Sequence, residues 1–296
     1  MATLYVVATP IGNLEDVTLR ALRVLREAEL VLAEDTRRTR VLLDRHGIAA
    51  RPLSLHAHNE AARIARVLDT LEAGGRVALV SDAGTPLVSD PGERLVAATI
   101  AAGHTVEAVP GPSAVLAALA VAGLPTAAFT FAGFLPRRAG ERDAWLRAWC
   151  ERPETLVLFE SPRRVAATLA RMAEILGDRP ACVARELTKL HEEVARGTLL
   201  ALSRKFSTGA RGEVTIVVGG RPRDTAAGAG PDLDAARNAA RNDALNAEIG
   251  ARLAAGEPTR AIAARLAIQH GVPRREVYAR ALELREREAL RSKRGD

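Results

Sequence analysis

A short apolar run that ends in a stiff, polar loop is the feature of this sequence that most restricts its fold. Residues 77–80 have the pattern of a buried strand, and residues 81–92 (SDAGTPLVSDPG) follow them directly. Open α/β sheets bind ligands at the carboxyl ends of their strands, where glycine permits close backbone approach and proline stiffens the loop. The same residue types also form ordinary strand-to-helix turns, so this segment alone indicates either a ligand loop or a plain turn.

Two further units of the same kind favour the ligand interpretation. Residues 4–8 (LYVVA) lead into residues 9–14 (TPIGNL), and residues 105–109 lead into residues 110–114 (PGPSA). An amphipathic helical pattern follows both loops, so the three loops together predict one shared cleft. None of them has the G-x-G-x-x-G or G-x-x-x-x-G-K-[ST] spacing, and nucleotide phosphates are therefore not the predicted ligand.

Strand and helix patterns alternate over residues 3–110, which predicts an α/β domain with a mostly parallel sheet covered on both faces. We assign this domain to residues 1–115. The predicted strands are 4–8, 30–33, 52–55, 77–81 and 105–109, and the predicted helices are 17–28, 36–46, 58–73 and 91–102.

A second α/β domain is predicted over residues 116–222, where late strands without long helices between them favour a mixed sheet. Residues 223–235, rich in Gly, Pro, Ala and Asp, are predicted to be a linker to a helical domain over 236–296. In the second domain the predicted strands are 128–133, 155–159, 181–185, 198–201 and 213–218, and the predicted helices are 141–151 and 162–176.

The final segment has a helix-turn-helix-like pattern, in which residues 258–269 and 273–284 flank a short turn with glycine. The pattern is typical both of a nucleic-acid reader and of a two-helix cap or dimer element. One packed face is predicted for Ile262, Leu266, Val277, Ala281 and Leu284.

Positive charge is concentrated in the same segment. The chain has a net charge of +6, and residues 236–296 contribute +5 of it through 13 basic and 8 acidic residues. Such a segment is typical of a nucleic-acid contact, although solvated helix faces have the same composition. No apolar run approaches the ~20 residues of a membrane-spanning helix. With no signal-peptide pattern and two isolated cysteines, we expect a cytoplasmic protein without a membrane contact.

Eight motifs, in order along residues 3–220, resemble the tetrapyrrole methylase superfamily of S-adenosylmethionine (AdoMet) methyltransferases. The set is specific, whereas each motif alone is weak. The resemblance implies two α/β domains with the AdoMet cleft between them, and it is strongest to members that 2′-O-methylate a cytidine in the decoding-centre region of 16S rRNA. The motifs are residues 9–14, 33–37 (AEDTR), 81–92, 110–113, 134–136 (FLP), 159–162 (FESP), 184–189 (ARELTK) and 212–214 (GEV).

The resemblance also implies which residues contact AdoMet, because these positions match the family motifs. Asp82 is expected to accept a hydrogen bond from the amino group or a hydroxyl of AdoMet, with capping of the turn at Gly84 as the alternative. In the first domain the positions are Pro10, Ile11, Ser81, Asp82, Ala83, Gly84, Thr85, Val88, Pro112, Ser113 and Ala114. In the second domain they are Phe159, Glu160, Leu187, Gly212, Glu213 and Val214.

A base is expected on the acceptor side of the cleft, because a ribose hydroxyl is a weak nucleophile until its proton is removed. Motif segments provide Glu34, Asp35, Glu186 and Lys189 as catalytic candidates. Asp35 also fits the N-cap of the following helix, and Glu186 also fits an ion pair with Arg185.

Arginine doublets beside the motifs are candidates for RNA contacts, although doublets in loops are often only solvated. Aromatic residues make up 3% of the chain, so recognition by phosphate contacts and RNA shape is favoured over base stacking. The doublets are Arg37, Arg38, Arg137, Arg138, Arg163 and Arg164.

No metal is expected, because AdoMet supplies the electrophile and the spacing of His56 and His58 has no accompanying carboxylate cluster. Three functions remain open. The leading one is a homodimeric AdoMet-dependent 2′-O-methyltransferase of 16S rRNA or the small ribosomal subunit. The second keeps the chemistry but acts on a tetrapyrrole precursor or a protein, against which the basic tail and residues 9–13 argue. The third is a nucleic-acid-binding regulator with residues 1–220 as its ligand sensor.

Overall fold

The computed structural model describes residues 2–56, 59–222, 245–270 and 272–294. Residue contacts divide the chain into two compact units, Met1–Pro222 and Arg223–Asp296. The predicted linker at residues 223–235 and the predicted helix start at His58 lie outside the described residues.

The first sheet of the larger unit is entirely parallel. Its strands are β1 (Thr3–Val7), β2 (Leu30–Ala33), β3 (Leu53–Ser54), β4 (Arg76–Val80) and β5 (Thr105–Val109). Their order across the sheet is β3-β2-β4-β1-β5. The helices that follow them are α1 (Leu19–Glu27), α2 (Thr36–Arg45), α3 (Glu60–Glu72) and α4 (Glu93–Ala101).

Both faces of this sheet are buried, which explains why its central strands are mostly apolar rather than alternating between apolar and polar residues. On one face Leu25 and Leu43 pack against Val31 of β2. On the other face Leu71 and Leu95 belong to the core that covers the opposite side of the sheet. The predicted α/β fold is confirmed, with strand and helix ends that differ from the prediction by one or two residues.

The second sheet is mixed, as predicted. Its strands are β6 (Phe129–Phe134), β7 (Thr155–Glu160), β8 (Pro180–Arg185), β9 (Glu193–Thr198) and β10 (Val214–Val218). The order is β6-β7-β10-β8-β9, in which only the β6–β7 pair is parallel. The accompanying helices are α5 (Ala114–Ala122), α6 (Ala139–Ala148), α7 (Val165–Leu176) and α8 (Leu199–Lys205).

The strand predicted at residues 198–201 is wrong, because this segment begins α8. Thr198 ends β9 and also caps α8, since its hydroxyl accepts a hydrogen bond from the Ala201 backbone N–H (3.3 Å). Leu199 and Leu202 are both buried, which is the spacing of one helix face. A short apolar run does not distinguish a strand from a buried helix, and the polar edge strand β9 gave no apolar signal.

Helix α5 packs on the second sheet. Ala118 and Leu119 share a core with Val157 of β7 and Val217 of β10. The predicted domain boundary between residues 115 and 116 therefore falls within the first turn of a helix that belongs to the second sheet.

The smaller unit is helical in its described residues. The described part of α9 covers residues 245–254, and it is followed by α10 (Thr259–His270) and α11 (Arg274–Arg294). The predicted packed face is confirmed: Leu284 packs at its margin, and the buried members are Ile262, Leu266, Val277 and Ala281. Helix α11 continues well beyond residue 284, where the sequence pattern predicted its end.

Replacement of Thr198 by Ala is expected to lower the free energy of unfolding of the larger unit by about 1 kcal/mol, because α8 loses its N-cap acceptor. Thr198→Ser keeps a hydroxyl at this position and is expected to remain close to wild type. Urea unfolding followed by tryptophan fluorescence measures the change, since Trp145 and Trp149 both belong to the core that contains Leu199. Equal midpoints for the Ala and Ser variants would contradict the capping role.

Candidate functional site

A cavity of about 470 Å³ lies at the carboxyl ends of β4, β1 and β5, against the second sheet. We call this cavity the cleft. The three strand-end loops at residues 9–14, 81–92 and 110–114 all contribute to it. Its lining residues are Ile11, Glu34, Arg38, Asp82, Ala83, Gly84, Thr85, Val88, Ser89, Asp90, Ser113, Ala114, Val115, Phe134, Phe159, Glu160, Ser161, Pro162, Gly212, Glu213, Val214 and Thr215.

Hydrogen bonds hold the three loops to one another. Thr9 and Gly84 exchange two backbone bonds, from the Thr9 N–H to the Gly84 carbonyl (2.8 Å) and from the Gly84 N–H to the Thr9 carbonyl (3.0 Å). The hydroxyl of Thr85 donates to the carbonyl of Pro112 (3.3 Å), which connects the second loop to the third. The predicted convergence of the loops is therefore present as a hydrogen-bonded unit.

Backbone strain is concentrated beside the cleft. Among the described residues, the non-glycine residues with positive φ are Leu87 (73°), Ser89 (74°), Glu186 (51°) and Thr188 (66°). Such conformations cost about 1–3 kcal/mol each and persist where the surroundings enforce them, which is common at functional sites. All four lie in two short segments, residues 87–89 and 186–188, that belong to the motifs described above.

Carboxylates dominate one side of the cleft. Partial burial raises the pKa of Glu34 above its ordinary value, and the negative charges of Asp82 and Asp90 raise it further. Glu34 nevertheless remains accessible to solvent. Burial also raises the pKa of Asp90. Asp82 accepts a hydrogen bond from the backbone N–H of Asp35 (2.7 Å) and lies 3.7 Å from Arg38, so it anchors the start of α2 rather than capping the turn at Gly84.

Asp35 is the N-cap of α2. One oxygen accepts from the Arg37 backbone N–H (2.9 Å), and both oxygens accept from the Arg37 guanidinium. These side-chain bonds lower the pKa of Asp35 to about 2. Asp35 does not line the cleft, and a carboxylate with so low a pKa is a poor proton acceptor near neutral pH.

Glu186 and Lys189 form a charged network with Glu213 at the cleft margin. The Lys189 ammonium donates to Glu186 Oε1 (2.9 Å) and Glu213 Oε2 (3.0 Å). The bond from Lys189 lowers the pKa of Glu186, and although burial opposes the charge on Lys189, its bonds to the two carboxylates raise its pKa. Both groups are charged at neutral pH, so Lys189 holds its proton. A Cβ at Gly212 would overlap the Glu186 carboxylate, which explains the glycine.

Glu160 is almost fully buried and occupied by local bonds. Its carboxylate accepts hydrogen bonds from the Ser161 N–H (2.7 Å) and the Thr168 hydroxyl (2.6 Å), and Arg164 lies 3.5 Å away. The Glu160 side chain thus fixes the turn between β7 and α7. In this way it holds the part of the cleft lining that this turn forms.

Most of the residues expected to contact AdoMet line the cleft. The other four do not line it but support the lining residues from behind. Pro10 is buried, and Leu187 packs with Ile11 in the core beneath α5. The Ser81 hydroxyl donates toward the carbonyls of Ala83 and Gly84 (3.4 Å each). Pro112 contributes the carbonyl that Thr85 contacts.

Of the six arginines proposed for RNA, Arg38 alone lines the cleft, where it lies 3.8 Å from Glu213. Arg37 is paired with Asp35 and Arg138 with Glu141 (3.0 Å). Arg164 lies beside Glu160, while Arg137 and Arg163 are exposed and lie outside the cleft lining.

Seven cleft residues were not singled out from the sequence. Most of them lie inside or directly beside the motifs, so the signal was present but not resolved to single side chains. Asp90 is the most consequential, because it adds a second carboxylate of raised pKa. The seven are Ser89, Asp90, Val115, Phe134, Ser161, Pro162 and Thr215.

Neither a metal cluster nor a membrane-spanning helix is present in the described part of the chain. Within residues 2–56, 59–222, 245–270 and 272–294, no group of three or more His, Cys, Asp or Glu side chains is placed to hold a metal ion. Over the same described residues, no helix combines the length and apolarity that crossing a membrane requires.

Known proteins similar to this chain have related names and folds. "Ribosomal RNA small subunit methyltransferase I" of Mesorhizobium japonicum is 46% identical over 286 residues, covering 96% of this chain and 92% of the relative. The protein of the same name from Thermotoga maritima is 47% identical over 222 residues, covering 75% and 100%. The structure of uroporphyrin-III-C-methyltransferase from Thermus thermophilus matches with a TM-score of 0.52 and 26% identity, covering 74% of this chain and 94% of that one.

The family model described as Tetrapyrrole (Corrin/Porphyrin) Methylases matches residues 3–203, which include both sheets except β10. This match covers more than half of the chain and agrees with the two-sheet architecture and with the relatives above. The chain belongs to the tetrapyrrole methylase family.

Proposed function

We propose that this protein is an AdoMet-dependent methyltransferase that 2′-O-methylates the ribose of a cytidine in 16S rRNA. The observation that carries the proposal is the relation, at 44–50% identity, to proteins named ribosomal RNA small subunit methyltransferase I. The cytidine 2′-hydroxyl is the acceptor that the motif resemblance implies. A small ribosomal subunit as partner and a cytoplasmic location follow from the same proposal.

The cleft fits AdoMet in size and charge. Its volume of about 470 Å³ lies within the range typical of small-molecule sites. Glu34, Asp82 and Asp90 give one side negative charge, which suits a ligand with a sulfonium and an ammonium group. Phe134 and Phe159, with ring centroids 5.7 Å apart, form an aromatic surface on the other side. When bound, AdoMet supplies an activated methyl group.

The protein's own contribution to methyl transfer is positioning and proton removal. The joined loops around Thr9, Gly84 and Thr85 hold the donor side at fixed geometry. Glu34 is the candidate that lines the cleft and has a raised pKa, so it is the group we propose to accept the hydroxyl proton. We propose that Glu186 and Lys189 position the cleft margin, and that Asp35 positions Glu34 by capping α2.

Labelled AdoMet distinguishes this function from its rivals. The protein is incubated with labelled AdoMet and either small ribosomal subunits, naked 16S rRNA or an extract without RNA. Label in RNA is the expected outcome, and nuclease digestion that leaves a 2′-O-methylcytidine identifies the acceptor. Label in a tetrapyrrole or a protein would show that the methyltransferase acts on that substrate instead of RNA. RNA binding without methyl transfer would favour a nucleic-acid-binding regulator.

We also propose a homodimer formed by the larger unit. Leu116 and Val121 of α5 and Phe129 of β6 are exposed large apolar side chains in this part of the molecule. Burial of such surface favours association, and closed two-fold dimers are the commonest soluble oligomers.

Replacement of Gly84 by Val is expected to lower AdoMet affinity by tenfold or more. Gly84 has a φ of +82°, and its Cβ would lie 3.3 Å from Ile11 Cγ2, so the bulkier residue must displace the loops that line the cleft. Isothermal titration calorimetry measures the affinity. Gly103→Val is the matched control, because Gly103 has a φ of +81° and open space around its Cβ. Equal affinities in the two folded variants would contradict this placement of AdoMet.

Replacement of Glu34 by Gln is expected to lower kcat by about 10²-fold, the usual contribution of a general base. In the wild type only the carboxylate form accepts the proton, so kcat should rise with pH through the raised pKa of Glu34. In the Glu34→Gln variant this rise of kcat with pH should be absent. Glu72→Gln, at an exposed position on α3, is the control for loss of one negative charge. An unchanged pH profile in Glu34→Gln would exclude Glu34 as the base.

Removal of residues 223–296 is expected to leave AdoMet affinity unchanged and to weaken binding to small subunits. The reason is that residues 236–296, which this truncation removes, contribute +5 of the net charge of +6, and phosphate contacts release counterions. The salt dependence of binding should therefore flatten. Light scattering should still give a dimer mass. A monomer, an insoluble product or lost AdoMet binding would make the segment a structural element, and unchanged salt dependence would exclude its RNA role.

A further inference from the structure

A second, smaller cavity of about 230 Å³ has no part in the function proposed above. It is formed by the end of β8, the start of β9, the end of α8 and the loop that leads into β10. We call it the basic pocket. Its lining residues are Arg185, Glu193, Lys205, Phe206, Gly209, Ala210 and Arg211.

Three cations and one carboxylate line the basic pocket. Glu193 Oε2 accepts from Arg185 Nε (2.7 Å), and Glu193 Oε1 lies 2.6 Å from Lys205 Nζ. A guanidinium has five N–H donors and an ammonium three, so one carboxylate leaves most of these donors for a further acceptor. Arg211 is exposed and lies outside the two Glu193 ion pairs. The lining side chains therefore carry a formal charge of +2.

Packed structure holds these cations in place. Phe206 is buried in the core of the second sheet, and the Lys205 ammonium lies 5.8 Å from its ring centroid. The backbone N–H of Ala210 donates to the carbonyl of Pro162 (3.1 Å), which fixes the loop next to Arg211. The Arg185 side chain is only 23% exposed, so its guanidinium is held at the pocket rather than free in solvent.

The basic pocket and the cleft share a thin partition. Arg185 lines the pocket and the next residue, Glu186, belongs to the charged network at the cleft margin. In the same way Arg211 lines the pocket and Gly212 lines the cleft. The two chain segments that form the partition are joined to each other, because the Glu186 N–H donates to the Glu213 carbonyl (3.0 Å) and the Glu213 N–H donates to Glu186 Oε1 (3.0 Å).

We propose that the basic pocket binds a backbone phosphate of the RNA whose ribose enters the cleft. This inference rests on the proposed function and adds to it a site for the substrate's charge. Every ribose in an RNA chain is flanked by phosphates, so a ribose in the cleft places a phosphate close beside it. Arginine donors match phosphate oxygens in pairs, and Arg185, Lys205 and Arg211 supply the positive charge that a phosphate needs.

The test compares two double variants that remove the same charge. The double variant Lys205→Gln with Arg211→Gln removes two positively charged side chains from the pocket lining but keeps the Arg185–Glu193 ion pair. Arg147→Gln with Arg204→Gln is the control, since both residues are exposed, on α6 and α8 respectively, and line neither cavity. Kinetics are measured with full-length protein on unmethylated 16S rRNA and on small subunits reconstituted from it.

The pocket variant is expected to raise KM for RNA about tenfold over the control, as the removal of charge-assisted hydrogen bonds predicts. Its kcat and AdoMet affinity should stay within about twofold of the control. The slope of log affinity against log salt should decrease by about 1 for each phosphate that the variant no longer binds. Equal KM changes in the two double variants would overturn the proposal, because bulk charge would then explain both. A loss of AdoMet affinity confined to the pocket variant would also overturn it.

Free inorganic phosphate could occupy the basic pocket in place of an RNA backbone phosphate. A competition experiment distinguishes these two ligands. At constant ionic strength, phosphate should compete with RNA in the wild type and the control but not in the pocket variant. Inhibition that is not competitive with RNA would assign the pocket to free phosphate and overturn the proposal. If the wild type transfers no methyl group to RNA, the proposed function fails. RNA binding and its salt slope, compared between the two double variants, then still decide on the pocket.

Discussion

The pairing of β1 between two parallel neighbours is the constraint on which the cleft depends. β1 is hydrogen-bonded to β4 on one edge and to β5 on the other, so the carboxyl ends of all three strands meet at one place. The loops that follow must share that place. Thr9 and Gly84 extend the pairing beyond the strand ends with two further backbone bonds. These loops therefore cannot separate without breaking hydrogen bonds that continue the sheet.

The second sheet completes the cleft through contacts that compensate for local strain. Glu186 and Thr188 both have positive φ, a conformation that costs L-residues about 1–2 kcal/mol. Local hydrogen bonds offset the strain, because the Glu186 carboxylate accepts one from the Lys189 ammonium and one from the Glu213 N–H. The Thr188 hydroxyl in turn accepts a bond from the Asn13 N–H (3.0 Å), which connects this turn to the first loop. The two halves of the cleft are thus joined where the backbone is most constrained.

Periodicity in the sequence predicted most of the fold and only part of the site. The apolar runs of β2 and β4 were correctly predicted as buried parallel strands, because they are short and alternate with helical patterns along the chain. The strand prediction at residues 198–201 failed, because the segment begins a helix that Thr198 caps, and this cap depends on backbone geometry that the sequence pattern does not show. For the same reason adjacent residues could not be separated: Asp35 caps α2, whereas Glu34, one position earlier, lines the cleft. The positions in the second sheet came from family resemblance, because no local pattern shows which strand ends face the first sheet.

Charge is separated over very short distances at the end of β8. Carboxylates outnumber cations in the lining of the cleft, whereas the lining side chains of the basic pocket carry a formal charge of +2. β8 ends at Arg185, and Glu186, which follows it, has a φ of 51°, so the strand conformation stops between these two residues. Arg185 pairs with Glu193 at the basic pocket, while Glu186 bonds Lys189 at the cleft margin. The bond from Lys189, with added help from Arg185, lowers the pKa of Glu186 and keeps it ionised. The partition between pocket and cleft therefore separates two linings of opposite formal charge, and the change occurs between neighbouring residues.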